Sequence, residues 1–238
     1  MFRFAVLIIT HLRSCLSFRK MIKEVLENKE ATRVDRYNVA RKIAKVIKEK
    51  GKVEEVVTYE DKLPESNYLL VPNHQGRYDS LAIINHHEKP LSILIDEKKS
   101  NAPIEKDYLD VIDAARIDLG NARKAYATIR KVYDRIINDK EIFMVFPEGY
   151  FGKNKHNSFY DFNSGCFHFL KESKVPVVPV CLYDTYKGLN KFGKVVVGVH
   201  YLKPIYYEEY QELTPKEIAK LVQARIEEKM KTLNVKQN

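Results

Sequence analysis

Tyr68-Leu69-Leu70-Val71-Pro72-Asn73-His74-Gln75-Gly76-Arg77-Tyr78-Asp79-Ser80-Leu81-Ala82-Ile83-Ile84 is the stretch from which the rest of the chain can be read. Its apolar opening runs into Pro72, which disfavours helix at Val71 and ends an extended segment. A polar stretch with Gly76 follows, and then a second apolar run. The pattern is strand, loop, helix, with Asp79 or Ser80 near the helix start. On a continuous helix, His74 and Asp79 would stand about 140° apart and could not meet. With a turn between them, the carboxylate can fold back onto the imidazole. That pairing fixes the histidine tautomer and raises its basicity, as a general base for a hydroxyl requires. The same letters also fit a surface histidine and an aspartate that only caps a helix.

Outward from this unit the alternation continues. Apolar runs at Val53–Tyr59, Leu91–Ile95, Ile142–Phe146, Val175–Leu182 and Val195–Tyr201 read as strands, with a longer helix at Asn121–Ile137. The expected fold is α/β, a single mixed sheet of about six or seven strands flanked by helices. The last helix is sharply delimited. Thr214 is its N-cap, Pro215 its first residue, Glu217 completes a capping box, and Leu213 can staple onto Ile218. Two helices precede the sheet. Ala5, Ile8, Ile9, Leu12, Cys15, Leu16, Ile22, Val25 and Leu26 recur at helical spacing among Arg13, Arg19, Lys20 and Lys23. Tyr37, Ala40, Ile43, Ala44 and Ile47 form the stripe of the second helix, and Gly51 stops it. Gly51 is the only candidate boundary, giving residues 1–51 as an amphipathic two-helix segment and 52–238 as the main domain.

The charge supports that division. The 238 residues carry +9, but residues 1–50 hold 13 Lys/Arg against 5 Asp/Glu, a net of +8. The remaining residues hold 28 against 27. The basic segment implies an anionic partner, nucleic acid or a membrane surface. No apolar run reaches the ~20 residues of a membrane-spanning helix. A cleavable signal peptide is not expected. Cys15, Cys166 and Cys181 are too few and too scattered for a disulfide framework, so the default compartment is reducing and cytoplasmic.

Two further segments could carry chemistry. Ile142-Phe143-Met144-Val145-Phe146-Pro147-Glu148-Gly149 delivers a carboxylate and a flexible glycine at a strand's C-terminal end, where ligands bind in open α/β sheets. Taken alone, the segment is more simply a strand-to-turn junction with a solvated Glu. Val175-Pro176-Val177-Val178-Pro179-Val180 holds prolines three apart, which predicts a strand near a sheet edge.

In combination these segments resemble the glycerolipid acyltransferase superfamily, and most closely its bacterial 1-acylglycerol-3-phosphate (lysophosphatidate) acyltransferases. The residues that carry the resemblance are Asn73, His74 and Asp79 (Asn-His-x-x-x-x-Asp), Phe146-Pro147-Glu148-Gly149, the Phe162-x-x-Gly165 step and the Val-Pro strand with Pro176. Lys62-Leu63-Pro64 looks like the family's lead-in, and the likeness covers roughly residues 53–206. It implies transfer of a fatty acyl group from acyl-coenzyme A or acyl-carrier protein to the hydroxyl of lysophosphatidic acid, with no cofactor and no metal. It implies catalysis by His74 and Asp79, and acceptor binding near Glu148 and Gly149. Two family arginines are missing. Ala115-Arg116-Ile117-Asp118 runs into Leu119-Gly120, and Gly149 is followed by Tyr150-Phe151-Gly152-Lys153. Arg116, Arg123 and Lys153 are the cationic candidates for the acceptor's phosphate in their place.

Competing readings are a different lysolipid or glycerol acceptor, a hydrolase, a metal site from His74, Asp79 and Glu148, and a non-catalytic membrane- or nucleic-acid-binding module. No Gly-x-Ser-x-Gly elbow supports a hydrolase, and no nucleic-acid-binding signature is present. A lysophospholipid resides in a bilayer, so the chain is expected as a peripheral protein on the cytoplasmic face. Phe2, Phe4, Val6, Leu7, Ile9 and Leu12 beside Arg3 and Arg13 would dock, helped by Arg33, Arg36, Arg41, Lys42 and Lys45.

Overall fold

The strand–loop–helix unit around His74 lies at the centre of one sheet. The computed structural model describes residues 12–101, 103–149, 157–158, 160–191 and 193–235. Helices α1 (Leu12–Glu27) and α2 (Arg33–Lys50) lead into β1 (Val53–Tyr59) and β2 (Leu69–Pro72). There follow α3 (Asp79–His86), β3 (Leu91–Asp96), α4 (Pro103–Val111), β4 (Ala115–Ile117), α5 (Ala122–Asn138) and β5 (Ile142–Val145). A 3-10 turn at Ser164–Phe167 and α6 (Leu170–Ser173) precede β6 (Val177–Tyr183). β7 (Val195–Tyr201), α7 (Tyr207–Tyr210) and α8 (Pro215–Val235) complete the order.

The sheet runs β1-β7-β6-β2-β5-β3-β4. Every neighbouring pair is parallel except β6 with β7. The C-terminal ends of β2, β3, β4, β5 and β6 therefore share one edge with the N-terminal ends of β1 and β7. The central strands are buried on both faces, which is why they read as unbroken apolar runs. Along β2 the side chains alternate: Leu70 enters one apolar layer, and Leu69 and Val71 the other. The first layer is covered by α2 and α3, the second by α5 and α8.

The sheet has seven strands, within the expected six or seven, and two other expectations are corrected here. β6 lies inside the sheet, not near an edge. Pro179 is tolerated because its carbonyl, accepting from Leu202 N at 2.9 Å, faces the chain just beyond the β7 ladder, which starts at Val180–Tyr201. The donor it lacks falls where that ladder has not begun. The seventh strand, β4, was not legible as a strand because it is three residues long with Arg116 in the middle. Finally, the helices before Gly51 do not form a separate layer. Ile22, Tyr37, Ala40, Ile43 and Ala44 are buried in the same core as β2 and α3, and each large side chain among them contributes roughly 1.5–3 kcal/mol. Arg33 is bound to Glu141 (3.0 Å) and Arg36 to Asp113 (2.8 Å), so neither faces outward as a docking charge. The docking residues expected before Leu12 lie outside the described residues. No described helix is long and apolar enough to cross a membrane.

Candidate active site

Pro72 ends β2, and the loop it releases is pinned from three sides. Asn73 is fully buried, and its side chain pairs with the backbone of Leu182 on β6, donating to the carbonyl (3.0 Å) and accepting from the N–H (2.7 Å). Gln75 Oε1 accepts from the N–H and the hydroxyl of Thr185, both at 2.9 Å. Asp79, fully buried at the first position of α3, accepts through Oδ2 from the N–H groups of Gln75 (2.5 Å) and Gly76 (2.9 Å). The same oxygen meets His74 Nδ1 at 2.8 Å. The aspartate is thus no plain helix cap: it folds back on the loop, as the spacing allowed.

Because a carboxylate only accepts, its contact makes Nδ1 the protonated nitrogen, a tautomer inferred from the partner. Nε2 is the nitrogen that Asp79 does not hold, on a side chain that is 15% exposed. Phe146 stacks on the imidazole, with centroids 4.1 Å apart and planes tilted by 31°. This ring contact places the end of β5 beside the loop after β2.

Glu148 stands elsewhere than its expected role suggests. It is only 4% exposed, and its oxygens accept from the backbone N–H groups of His74 (2.6 Å) and Tyr160 (2.8 Å). It is not in the wall of the cavity described below. Its observed action is to hold the His74 backbone, a contact across 74 residues that no local pattern announces. Gly149 does face the cavity, with φ +73° in the left-handed region that suits glycine. Pro147 accepts from Asn163 N (2.9 Å), and Pro176 accepts from Leu69 N (2.9 Å).

His74 opens onto a cavity of about 1130 Å³. One part of its wall comes from the first apolar layer, with Ile22, Ile43, Ile93, Leu109 and Ile112. Another comes from the second layer, with Leu94, Ile129 and Val145. Such a large apolar space beside an imidazole suits a hydrocarbon chain attached to a reactive head. Cys166 also lines it, but burial pushes its thiol up to about 12, so it offers no thiolate nucleophile near neutral pH. Among the described residues no three or more His, Cys, Asp or Glu converge as a metal-ligand set.

The cations expected at the phosphate do not gather here. Arg116 is held by Asp110 (2.5 Å) and Ser100 (3.2 Å), and Arg123 stands exposed on the first turn of α5. Neither lines the cavity. Lys153 lies outside the described residues.

Known proteins resemble this chain in sequence and in fold. The chain is 26% identical over 170 residues to the 1-acyl-sn-glycerol-3-phosphate acyltransferase of Salmonella typhimurium, covering 71% of this chain and 69% of that one. It is 23% identical over 181 residues to the enzyme of that name from Saccharomyces cerevisiae, covering 74% and 60%. The crystal structure of the 1-acyl-sn-glycerophosphate (LPA) acyltransferase from Thermotoga maritima superposes with a TM-score of 0.71 at 18% identity, covering 98% of this chain and 94% of that one, which shows a shared fold. Residues 54–183 match the family model described as Acyltransferase, more than half of the chain, and by that match the protein belongs to the acyltransferase family.

Proposed function

We propose that this acyltransferase moves a fatty acyl group from acyl-coenzyme A or acyl-carrier protein to the free hydroxyl of lysophosphatidic acid, giving phosphatidic acid. The observation that carries the reading is the His74–Asp79 contact at 2.8 Å, on the wall of an apolar cavity. The names of the relatives support the acceptor. His74 Nε2 takes the hydroxyl proton as the oxygen attacks the thioester carbonyl. Asp79 stabilises the imidazolium that forms. Collapse of the tetrahedral adduct breaks the carbon–sulfur bond, and the thiolate leaves with the proton from His74. The products are an ester and a free thiol, without a covalent acyl-enzyme. A panel of lysophosphatidate, other lysophospholipids and monoacylglycerol, assayed with both donors, tests this. Lysophosphatidate should give the highest kcat/KM, and thioester cleavage that ignores every acceptor would contradict it.

The reading includes a peripheral place on the cytoplasmic leaflet. α1 begins at the sheet edge that carries His74, since Cys15 near its start and Lys50 at the end of α2 both line the cavity. The residues before Leu12 are apolar and basic, the composition of an interfacial anchor. Because α2 belongs to the core, removal of 1–50 would damage the fold. The clean test deletes residues 1–11 alone. Sedimentation with anionic vesicles should fall sharply, and undiminished sedimentation would refute the anchor.

A further inference from the structure

The described cavity wall carries four cationic side chains, Arg19, Lys50, Arg77 and Lys99, against two carboxylates, Asp96 and Glu105. Arg19 lies toward Asp107 (3.6 Å), and Lys50 ends α2. Arg77 is placed differently. It sits between His74 and Asp79 on a loop whose backbone is fixed by the Gln75 and Gly76 N–H bonds to Asp79. Gly76 lies beside the Tyr186 backbone, where an added Cβ would make ordinary van der Waals contact at 3.5 Å. The exposed Arg77 side chain thus leaves a rigid base beside the proposed catalytic histidine. Across the wall, desolvation pushes the Glu105 carboxyl up while Arg77 draws it down, so the two groups sense each other. Lys99 follows β3 in the turn after Asp96.

The chemistry of the acceptor selects between these cations. In a 1-acylglycerol 3-phosphate only a few bonds separate the free hydroxyl from the phosphate. A hydroxyl at His74 therefore confines the phosphate to the wall next to the loop 73–78. The phosphate of a pantetheine thioester lies at the far end of a long arm. Building on the proposed reaction, we propose that Arg77, assisted by Lys99, forms the site that recognises the acceptor's phosphate. The guanidinium fork engages two phosphate oxygens, and the ammonium supplies a second charge. Arg77 and Lys99 together carry two positive charges, the number that a phosphate monoester dianion requires.

The test uses the full-length enzyme with Arg77→Gln, Arg77→Lys and Lys99→Gln. Arg77→Gln should raise KM for lysophosphatidate by about ten- to a hundredfold, more than it lowers kcat. Arg77→Lys should recover part of that loss, and monoacylglycerol KM should move far less. Unchanged KM for lysophosphatidate in a folded Arg77→Gln enzyme would overturn the proposal. A rise confined to the acyl donor's KM would overturn it too, assigning the cations to the pantetheine phosphate. Thermal shift with sn-glycerol 3-phosphate reads the site without turnover, and binding should weaken in Arg77→Gln. Wild-type enzyme that binds this probe yet acylates only monoacylglycerol would sink the proposed reaction and leave the site standing.

Discussion

Helix α3 has a histidine–carboxylate pair at each end, and the two pairs share a distance but not a setting. At its start, Asp79 Oδ2 meets His74 Nδ1 at 2.8 Å; at its end, Glu55 Oε2 meets His86 Nε2 at 2.8 Å. Glu55 also accepts from Tyr78 (2.5 Å) and Asn85 (2.9 Å), and Lys48 stands 2.9 Å away. These donors hold its carboxyl below the ordinary range despite the opposing burial. Asp79 is surrounded by backbone N–H dipoles, and its Oδ1 has no hydrogen-bond partner among the described residues. A proton arriving on His74 meets a carboxylate that no Lys or Arg among the described residues bridges. One arriving on His86 meets a carboxylate shared with an ammonium. The distance defines a pair; what else the carboxylate binds, and whether a cavity adjoins the ring, separates a base from a structural tie.

Exchanging the losses between the two pairs gives the largest contrast. His74→Ala should lower kcat by at least about 10³-fold with Tm little changed, as removal of a general base does. His86→Ala should leave turnover within a few-fold of wild type. Steady-state rates and thermal unfolding of the two variants decide it. Near-wild-type rates in folded His74→Ala would remove the catalytic assignment altogether.

The carboxylates should separate in the opposite sense. Glu55→Gln removes the buried carboxylate that Lys48, His86, Tyr78 and Asn85 share and should cost about 1.5–3 kcal/mol of stability, more than it costs turnover. Asp79→Asn keeps size and several hydrogen bonds but loses the charge behind the imidazolium. Its kcat should fall about 10²-fold or more, with a smaller stability change. Urea unfolding beside kinetics checks both. If Glu55→Gln lost kcat as severely as Asp79→Asn, the second pair would not be merely structural.

Much of this contrast was readable in the letters, and part of it was not. Strands buried on both faces announce themselves as apolar runs, so six of the seven were evident, as were Thr214 and Glu217 at the start of α8. The first pair is five residues apart, within reach of a single turn, so its spacing was informative. The second joins residues 31 apart, and the Glu148 clamp joins residues 74 apart. Such contacts exist only once strands have been ordered in a sheet. Arg77 was overlooked because, in the sequence, it is one more basic residue among forty-one Lys and Arg. Its distinction is the rigid loop that carries it.

A third histidine sharpens the lesson at a smaller scale. His87 follows His86 directly, yet it is 3% exposed and faces the core. Its Nδ1 lies 2.7 Å from the Lys89 carbonyl, which can only accept, so Nδ1 carries the hydrogen. Nε2 then accepts from the Tyr68 hydroxyl at 2.6 Å. Both nitrogens are satisfied in the neutral ring, and desolvation pushes its pKa down to about 4. Unfolded, the same side chain titrates near 6.5. Between those values the unfolded chain binds a proton that the folded chain refuses. The stabilisation is complete above pH 6.5 and is lost as the pH falls toward 4, by up to about 3 kcal/mol. His87→Gln, which retains a donor and an acceptor, should flatten the rise of unfolding free energy between pH 5 and 6.5 relative to wild type. Equal slopes in urea titrations of the two proteins across that window would show that His87 is protonated in the fold.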